Sequence, residues 1–357
     1  MQLHIGSVRR PVQSWLGTED CSTAQVLGPS VGLTAMMLIA GISTANFAGL
    51  SIGALLLPYF SSAGACTLLT FLIVLFLEVV RFARLKAPDP LFRIRERFLP
   101  RLPFLMLPAL IFPAFLVGFT ASKSAIPFLV GYSWDSFWWR ADLLIFRTDP
   151  WQITHALFGS RSLWFWQWFY SVGWGAAFFF SAAAIPLYAS RKFVTIFFTA
   201  MFSTWFFGGF VLAYAFSAAG PVFAHMFDPA LAMRFARLRA ELGANVGDGP
   251  IGLTQRYLAG AVHNHIAVMG GGISAMPSMH LAAAAIYVIA SRGTKWFIPS
   301  LLFWLIIFIA SAYFGYHYWV DGLAGAAVAW ICWKVAAGLV SKMTESGGPA
   351  LMALEPS

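Results

Sequence analysis

Apolar residues run along this chain in eight stretches, roughly 29–48, 62–82, 103–121, 163–189, 193–217, 276–291, 296–315 and 319–340. A hydrocarbon core roughly 30 Å thick takes about 20 apolar residues per helix. Each stretch therefore predicts a membrane-spanning helix, and together they predict an all-α, polytopic transmembrane bundle of about eight spans. The first span runs further if 51–60, also apolar, joins it. The apolar run Ile126–Val130 is too short to cross. With Trp134, Phe137, Trp138 and Trp139 beside it, the run reads as an interfacial segment.

Composition agrees with this pattern. Of 357 residues, 59% are hydrophobic and 10% charged, where soluble domains carry about 25% charged residues. Mean hydropathy is +0.74, more apolar surface than a water-soluble core hides. The formal charge is +9. In a membrane protein such an excess reports cytoplasmic loops rather than a nucleic-acid partner. Cys21, Cys66 and Cys332 are scattered and read as small hydrophobes, forming no metal or redox motif.

Basic residues predict the orientation. Arg81, Arg84, Lys86, Arg93, Arg95, Arg97 and Arg101 crowd the connection between the second and third spans. With that connection cytoplasmic, alternation puts Arg9, Arg10, Arg191, Lys192, Arg292, Lys295, Lys334 and Lys342 on the same side. The uncharged loop 48–61 falls outside, as do two long loops at about 122–162 and 218–275. This is the pattern of an inner or plasma membrane protein.

Polar groups with chemical potential cluster at the outer ends of the last three spans. Gly270-Gly271-Gly272 leads into Pro277-Ser278-Met279-His280. Pro277 suits the first turn of a helix. Exposed N–H groups at a helix start, approached through glycines, suit a phosphate. Gly271, Gly272 and the Ser278 hydroxyl are candidate ligands, and His280 sits beside them. His317 and Asp321 are four residues apart, a spacing that shares one helix face. A carboxylate beside an imidazole fixes its tautomer and raises its basicity, as a histidine nucleophile needs. The plain alternatives are a structural interface histidine, an ordinary glycine loop, and a carboxylate that only satisfies its neighbour. Ionisable groups at the edge of membrane helices favour function.

Pro277-Ser278-Met279-His280 resembles the Pro-Ser-x-His signature of the type 2 phosphatidic acid phosphatase superfamily. His317-Tyr318-Trp319-Val320-Asp321 resembles its His-x-x-x-Asp signature. The wider strings Gly-Ile-Ser-Ala-Met-Pro-Ser-Met-His and Gly-Tyr-His-Tyr-x-Val-Asp are similar to the branch that includes inositol phosphorylceramide synthases. Ser217-Ala218-Ala219-Gly220-Pro221-Val222 and Asp149-Pro150-Trp151 resemble recurrent features of bacterial members. The likeness covers about residues 140–335. It implies a six-helix phosphatase-like core and a lipid phosphate or phospholipid substrate, cleaved at the periplasmic or extracytoplasmic face. In that chemistry His317 attacks phosphorus and becomes a phosphohistidine, and Asp321 orients His317. His280 protonates the leaving alcohol and then activates the acceptor, while Ser278 and nearby N–H groups hold phosphoryl oxygens. No cofactor and no metal are expected.

Two basic residues of the superfamily pattern are missing. The first signature, Lys, six residues, then Arg-Pro, has no match, since Ile94 follows Lys86 and Arg93. Ser311 stands where an arginine usually precedes the third signature's histidine. Arg256, or one of Arg234, Arg237 and Arg239, is the expected substitute, with a solvated loop residue as the alternative for each. Asp149, His155, His263 and His265 are further outer-loop groups with either a site role or a loop role. The chain divides into an N-terminal transmembrane region (1–121), a catalytic transmembrane domain (122–342) and a cytoplasmic tail (343–357). Water as acceptor makes a lipid phosphatase; a lipid or polyol hydroxyl makes a head-group transferase. A non-enzymatic transporter or lipid-binding protein would need charges buried in mid-membrane, and apart from Lys334 the spans read as lacking them. A catalytically dead scaffold is disfavoured by the intact His280, His317 and Asp321.

Overall fold

The computed structural model describes residues 21–86 and 88–352, with side chains through residue 344. The orientation argument from Arg9 and Arg10, and the end of the tail beyond Met352, lie outside the described residues. Among them every regular element is helical. Six helices are long and apolar enough to cross a membrane: α1 (Thr23–Phe47), α2 (Gly53–Arg84), α3 (Pro90–Leu129), α6 (Ser160–Tyr188), α7 (Arg191–Ala215) and α13 (Trp319–Met352). Two shorter apolar helices, α11 (Met279–Ala290) and α12 (Phe297–Tyr313), complete the bundle. Between them lie α4 (Asp135–Phe146), α5 (Pro150–Phe158), α8 (Pro229–Arg234), α9 (Ala236–Val246) and α10 (Pro250–His263).

Local chemistry sets the boundaries. Ser22 and Gln25 form a capping box that opens α1, and the Ser190 hydroxyl accepts from Phe193 N–H to open α7. Pro100, Pro103 and Pro108 lie where α3 passes through a 3-10 stretch and a π turn before its regular part begins at Phe112. The span expected at 276–291 is shorter than the reading gave. Its N-cap is Ser278 and its first helical residue Met279, so Pro277 stands outside the helix rather than in its first turn.

Three other expectations are corrected. Residues 53–60 begin α2 rather than extending α1. Ile126–Leu129 is not an interfacial segment but the end of α3, which continues because 122–125 are helical and mostly buried. The spans also hold charges other than Lys334, Glu78 and Lys123 among them. Glu78 in α2 is buried and bonds Arg97 at 3.0 Å and Arg81 at 3.4 Å. Lys123, counted above in the first outer loop, lies inside α3.

The core is aromatic. Phe112 and Phe115 of α3 stack on Phe202 of α7 at 5.8 and 4.7 Å, and Phe119 meets Trp205 edge-on at 4.6 Å. The lipid-side faces of α1 and α2 carry exposed Ile39, Leu57 and Phe76. At one end of the bundle Arg101 donates to the Ala189 carbonyl at 2.6 Å and Arg191 to the Cys21 carbonyl at 3.3 Å. Helix ends and loops are joined there in place of water.

Gly41 of α1 and Gly118 of α3 meet backbone to backbone. A Cβ on Gly118 would stand 2.6 Å from the Met37 carbonyl oxygen, whereas one on Gly64 of α2 would meet nothing within 4 Å. Small residues permit this closeness between membrane helices. Gly118→Ala is expected to cost about 1–3 kcal/mol through forced separation, and Gly64→Ala nothing. Thermal unfolding of the two variants in detergent measures the difference.

Candidate active site

The site is assembled from four segments at one end of the bundle. The first is the start of α11. Ser278 N–H donates to the Asp321 carbonyl at 3.0 Å, which ties the entry of α11 to the first turn of α13. His280, one residue into α11, opens onto a cavity of about 480 Å³. Its ring stacks on Tyr170 at 5.0 Å and lies 4.4 Å from Trp174, whose indole N–H donates to the His280 carbonyl at 3.2 Å. These contacts hold its imidazole against the wall.

The second segment is the turn between α12 and α13. Gly315 takes φ +64, a left-handed conformation that lets the chain reverse, and the N–H groups of Tyr316 and His317 close on the Ser311 carbonyl at 3.1 and 3.4 Å. His317 follows, 6% exposed, and its ring lies 6.1 Å from that of His280. Its Nδ1–H donates to the Ala275 carbonyl at 2.8 Å. A carbonyl only accepts, so the proton is on Nδ1 and the Nε2 lone pair is free. Burial, with Lys123 nearby, lowers the His317 pKa to about 3 against the raising effect of the Ala275 bond. The imidazole is thus neutral at pH 7.

This corrects the expected His317–Asp321 geometry. α13 starts at Trp319, so the two residues do not share a helix face. Asp321 Oδ2 stands 3.7 Å from His317 Nδ1 and instead accepts Tyr318 N–H at 2.9 Å. The tautomer is set by Ala275, with Asp321 behind it as an unexposed carboxylate.

The third segment holds Ala275 in place. Its N–H donates to the Ala218 carbonyl at 2.7 Å. The next two N–H groups, of Ala219 and Gly220, donate to the Asp135 carboxylate at 2.8 Å each, and Tyr318 OH adds a third bond at 3.0 Å. Two turns along α4, Asp142 accepts the Trp319 and Val320 N–H groups at 2.9 and 3.0 Å. Its carboxylate therefore caps α13, an arrangement worth about 0.5–2 kcal/mol at a helix N-terminus. Burial pushes the Asp142 carboxyl up to about 7, and those two N–H bonds oppose it.

The fourth segment is α3. Gly272 has φ +85, and a Cβ on it would stand 2.8 Å from the Lys123 backbone carbon. The glycine run thus serves the close passage of the chain across α3, and Gly270 N–H donates to Tyr59 OH at 2.9 Å. Lys123, Gly270, Gly271, Gly272, His280 and His317 all line the one cavity. Among the described residues the Lys123 ammonium has no hydrogen-bonded or ion-paired partner.

A family model described as the PAP2 superfamily matches residues 152–335. The chain belongs to the PAP2 superfamily. No curated protein and no solved structure gives a match. The PAP2 match spans His280, His317 and Asp321 and begins after α3 and α4, so Lys123, Asp135 and Asp142 lie outside it.

The remaining sequence candidates fall elsewhere. Ser278 is buried, its hydroxyl without a partner. Arg256 is engaged with Asp248 at 2.7 Å and the Gly247 carbonyl at 3.1 Å and does not line the cavity. Arg234 bonds Asp149 at 2.8 Å, Arg237 bonds Glu241 at 2.8 Å, and Arg239 bonds the Ala232 carbonyl at 2.7 Å. His155 bridges Glu241 and the Tyr313 carbonyl, both at 2.8 Å, and His265 reaches the Ala48 carbonyl. The cation at the cavity is Lys123 instead. The signal for it was a lone lysine at the end of an unbroken apolar run.

His317 should remain Nδ1-protonated and neutral as pH falls, titrating only near 3, whereas an unfolded histidine takes its proton near 6.5. The unfolded chain binds more protons between those values, so His317 contributes stability that is lost as pH falls through the window. Nitrogen-15 NMR of histidine-labelled protein measures both tautomer and titration. A His317 signal titrating near 6.5 would refute the assignment.

Proposed function

We propose that this chain is a membrane-integral lipid phosphatase or phosphotransferase working through a phosphohistidine on His317. One observation carries the reading: His317 commits its Nδ1–H to Ala275 and leaves Nε2 free on a cavity that His280 also lines. Attack of Nε2 on phosphorus forms the P–N bond while the P–O bond to the leaving alcohol breaks. His280 gives that oxygen its proton. An acceptor hydroxyl then loses its proton to His280 and attacks phosphorus, the P–N bond breaks, and His317 returns to its starting state. Asp321 steadies the positive charge that His317 gains on phosphorylation. Lys123, with N–H groups of the glycine run, holds phosphoryl oxygens.

The cavity wall beyond the histidines supports a lipid substrate. Leu116, Phe119, Phe178, Phe179 and Trp205 line it, an apolar surface suited to hydrocarbon. The basic residues 81–101 and 191–192 lie at the opposite end of their helices from the site, which by the positive-inside tendency supports a site on the extracytoplasmic face of the cell membrane. The same geometry serves a head-group transferase like the inositol phosphorylceramide synthases, with the second substrate deciding the outcome. A proton-relay transporter is less well supported. Arg97, the partner of Glu78, is 26 residues from Lys123 along α3, roughly 40 Å at 1.5 Å per residue, too far for direct proton exchange between the two.

Purified protein in detergent, given a panel of lipid phosphates and phospholipids, is expected to release free phosphate or form a new phospholipid. His317→Ala should reduce either product to background, and His280→Asn should slow it about 10²–10⁴-fold. Turnover that survives in His317→Ala, or a panel without any product, contradicts the reading.

A further inference from the structure

Four phenols line the cavity: those of Tyr59 and Tyr257 are hydrogen-bonded within the protein, and those of Tyr170 and Tyr316 are used neither by the fold nor by the mechanism above. Tyr170 is 4% exposed and lies in a π turn of α6, Phe169–Gly173, that puts Tyr170 and Ser171 on the cavity wall. Tyr316 immediately precedes His317. The ring of Tyr170 lies between those of His280 and Tyr316, stacked at 5.0 and 5.7 Å with interplanar angles of 18° and 17°. Among the described residues neither hydroxyl has a hydrogen-bond partner, although each belongs to a group that lines the cavity. A buried hydroxyl left unsatisfied costs about 1–3 kcal/mol, and native structures satisfy most such groups with a protein, water or ligand partner. Burial pushes the Tyr316 phenol up, so it stays protonated and able to donate.

Their chemistry differs from that of the groups they stand in for. Among the described residues the cavity wall carries one ammonium, Lys123, and no arginine or carboxylate. A phosphomonoester approaches two negative charges above its second pKa of about 6, whereas a phosphodiester keeps one. Uncompensated charge is heavily penalised in a dry, apolar site. Phenols supply hydrogen bonds without adding charge. We infer that Tyr170 and Tyr316 are phosphoryl-binding residues, donating to phosphoryl oxygens in place of the missing cations. The site they form with Lys123 accepts a singly charged phosphodiester ahead of a doubly charged monoester. The inference rests on the phosphotransfer reading of His317 and His280.

Tyr170→Phe and Tyr316→Phe keep the stacked rings and remove only the hydroxyls. The probes are phosphatidylglycerol and phosphatidic acid with the same acyl chains, in detergent at pH 8, with His317→Ala as background. Each Phe variant is expected to lose about 10- to 100-fold in kcat/KM on the diester. Its thermal midpoint should not fall, because no bond in the free protein is broken. Wild-type protein should prefer the diester at pH 8, and the preference should narrow towards pH 5 as the monoester takes up a proton. Wild-type kcat/KM in both Phe variants, or a preference for phosphatidic acid at pH 8, overturns the inference while His317-dependent turnover leaves the phosphotransfer reading standing. Absence of His317-dependent turnover with either lipid removes both.

Discussion

The hydrogen bond from His317 to the Ala275 carbonyl is the contact on which the rest of the site depends. It selects the tautomer, aims the free nitrogen at the cavity and does so without a charged partner. A backbone carbonyl can fix a side chain only if it is fixed itself, and lipid surroundings offer no water to share that task. Here Ala275 is pinned to Ala218, the adjoining N–H groups are pinned to Asp135, and the start of α13 is pinned to Asp142. Two carboxylates on one face of α4 thereby grip both sides of the histidine turn. Unlike a direct His–Asp bond, this arrangement leaves the Asp321 carboxyl group 3.7 Å behind the ring.

Lys123 completes the logic from the other side. An ammonium within an apolar helix is costly unless something compensates it, and here it faces the same space as both histidines. Chemistry that moves a phosphoryl group through that space would supply the missing anion. The first and second helices pack around α3, so the part of the chain that carries no signature still provides a wall of the site. Residue 121, where composition alone divides the chain, lies within α3, and the cavity draws on both sides of that point through Leu116, Phe119 and Lys123.

Much of this was legible in the sequence, for identifiable reasons. Apolar runs report spans directly, so the six long spans and the two shorter apolar helices were anticipated. His280, His317 and Asp321 sit in short strings whose spacing is visible along the chain. Lys123 was missed because the third span was ended at residue 121, two residues before it, whereas α3 runs on to Leu129. Asp135 and Asp142 looked like loop charges because their partners lie 84 and 177 residues away. Arg256 looked available because nothing marks Asp248, eight residues earlier, as its partner. Pro277 looked like a helix start since proline favours that position, yet Ser278 caps the helix one residue later. Tyr170 and Tyr316 carry no signal of their own among ten tyrosines. The stacked rings beside His280 and the two unpaired hydroxyls single them out.

The most direct test of the account is to trap the phosphorylated protein. Rapid quenching of the enzyme with a lipid substrate labelled at phosphorus, followed by peptide mapping, locates any covalent phosphate. The account predicts an acid-labile, base-stable phosphate on the peptide containing His317, formed and consumed within one turnover. Turnover at the normal rate with no such adduct, or with the phosphate on a different residue, would contradict it.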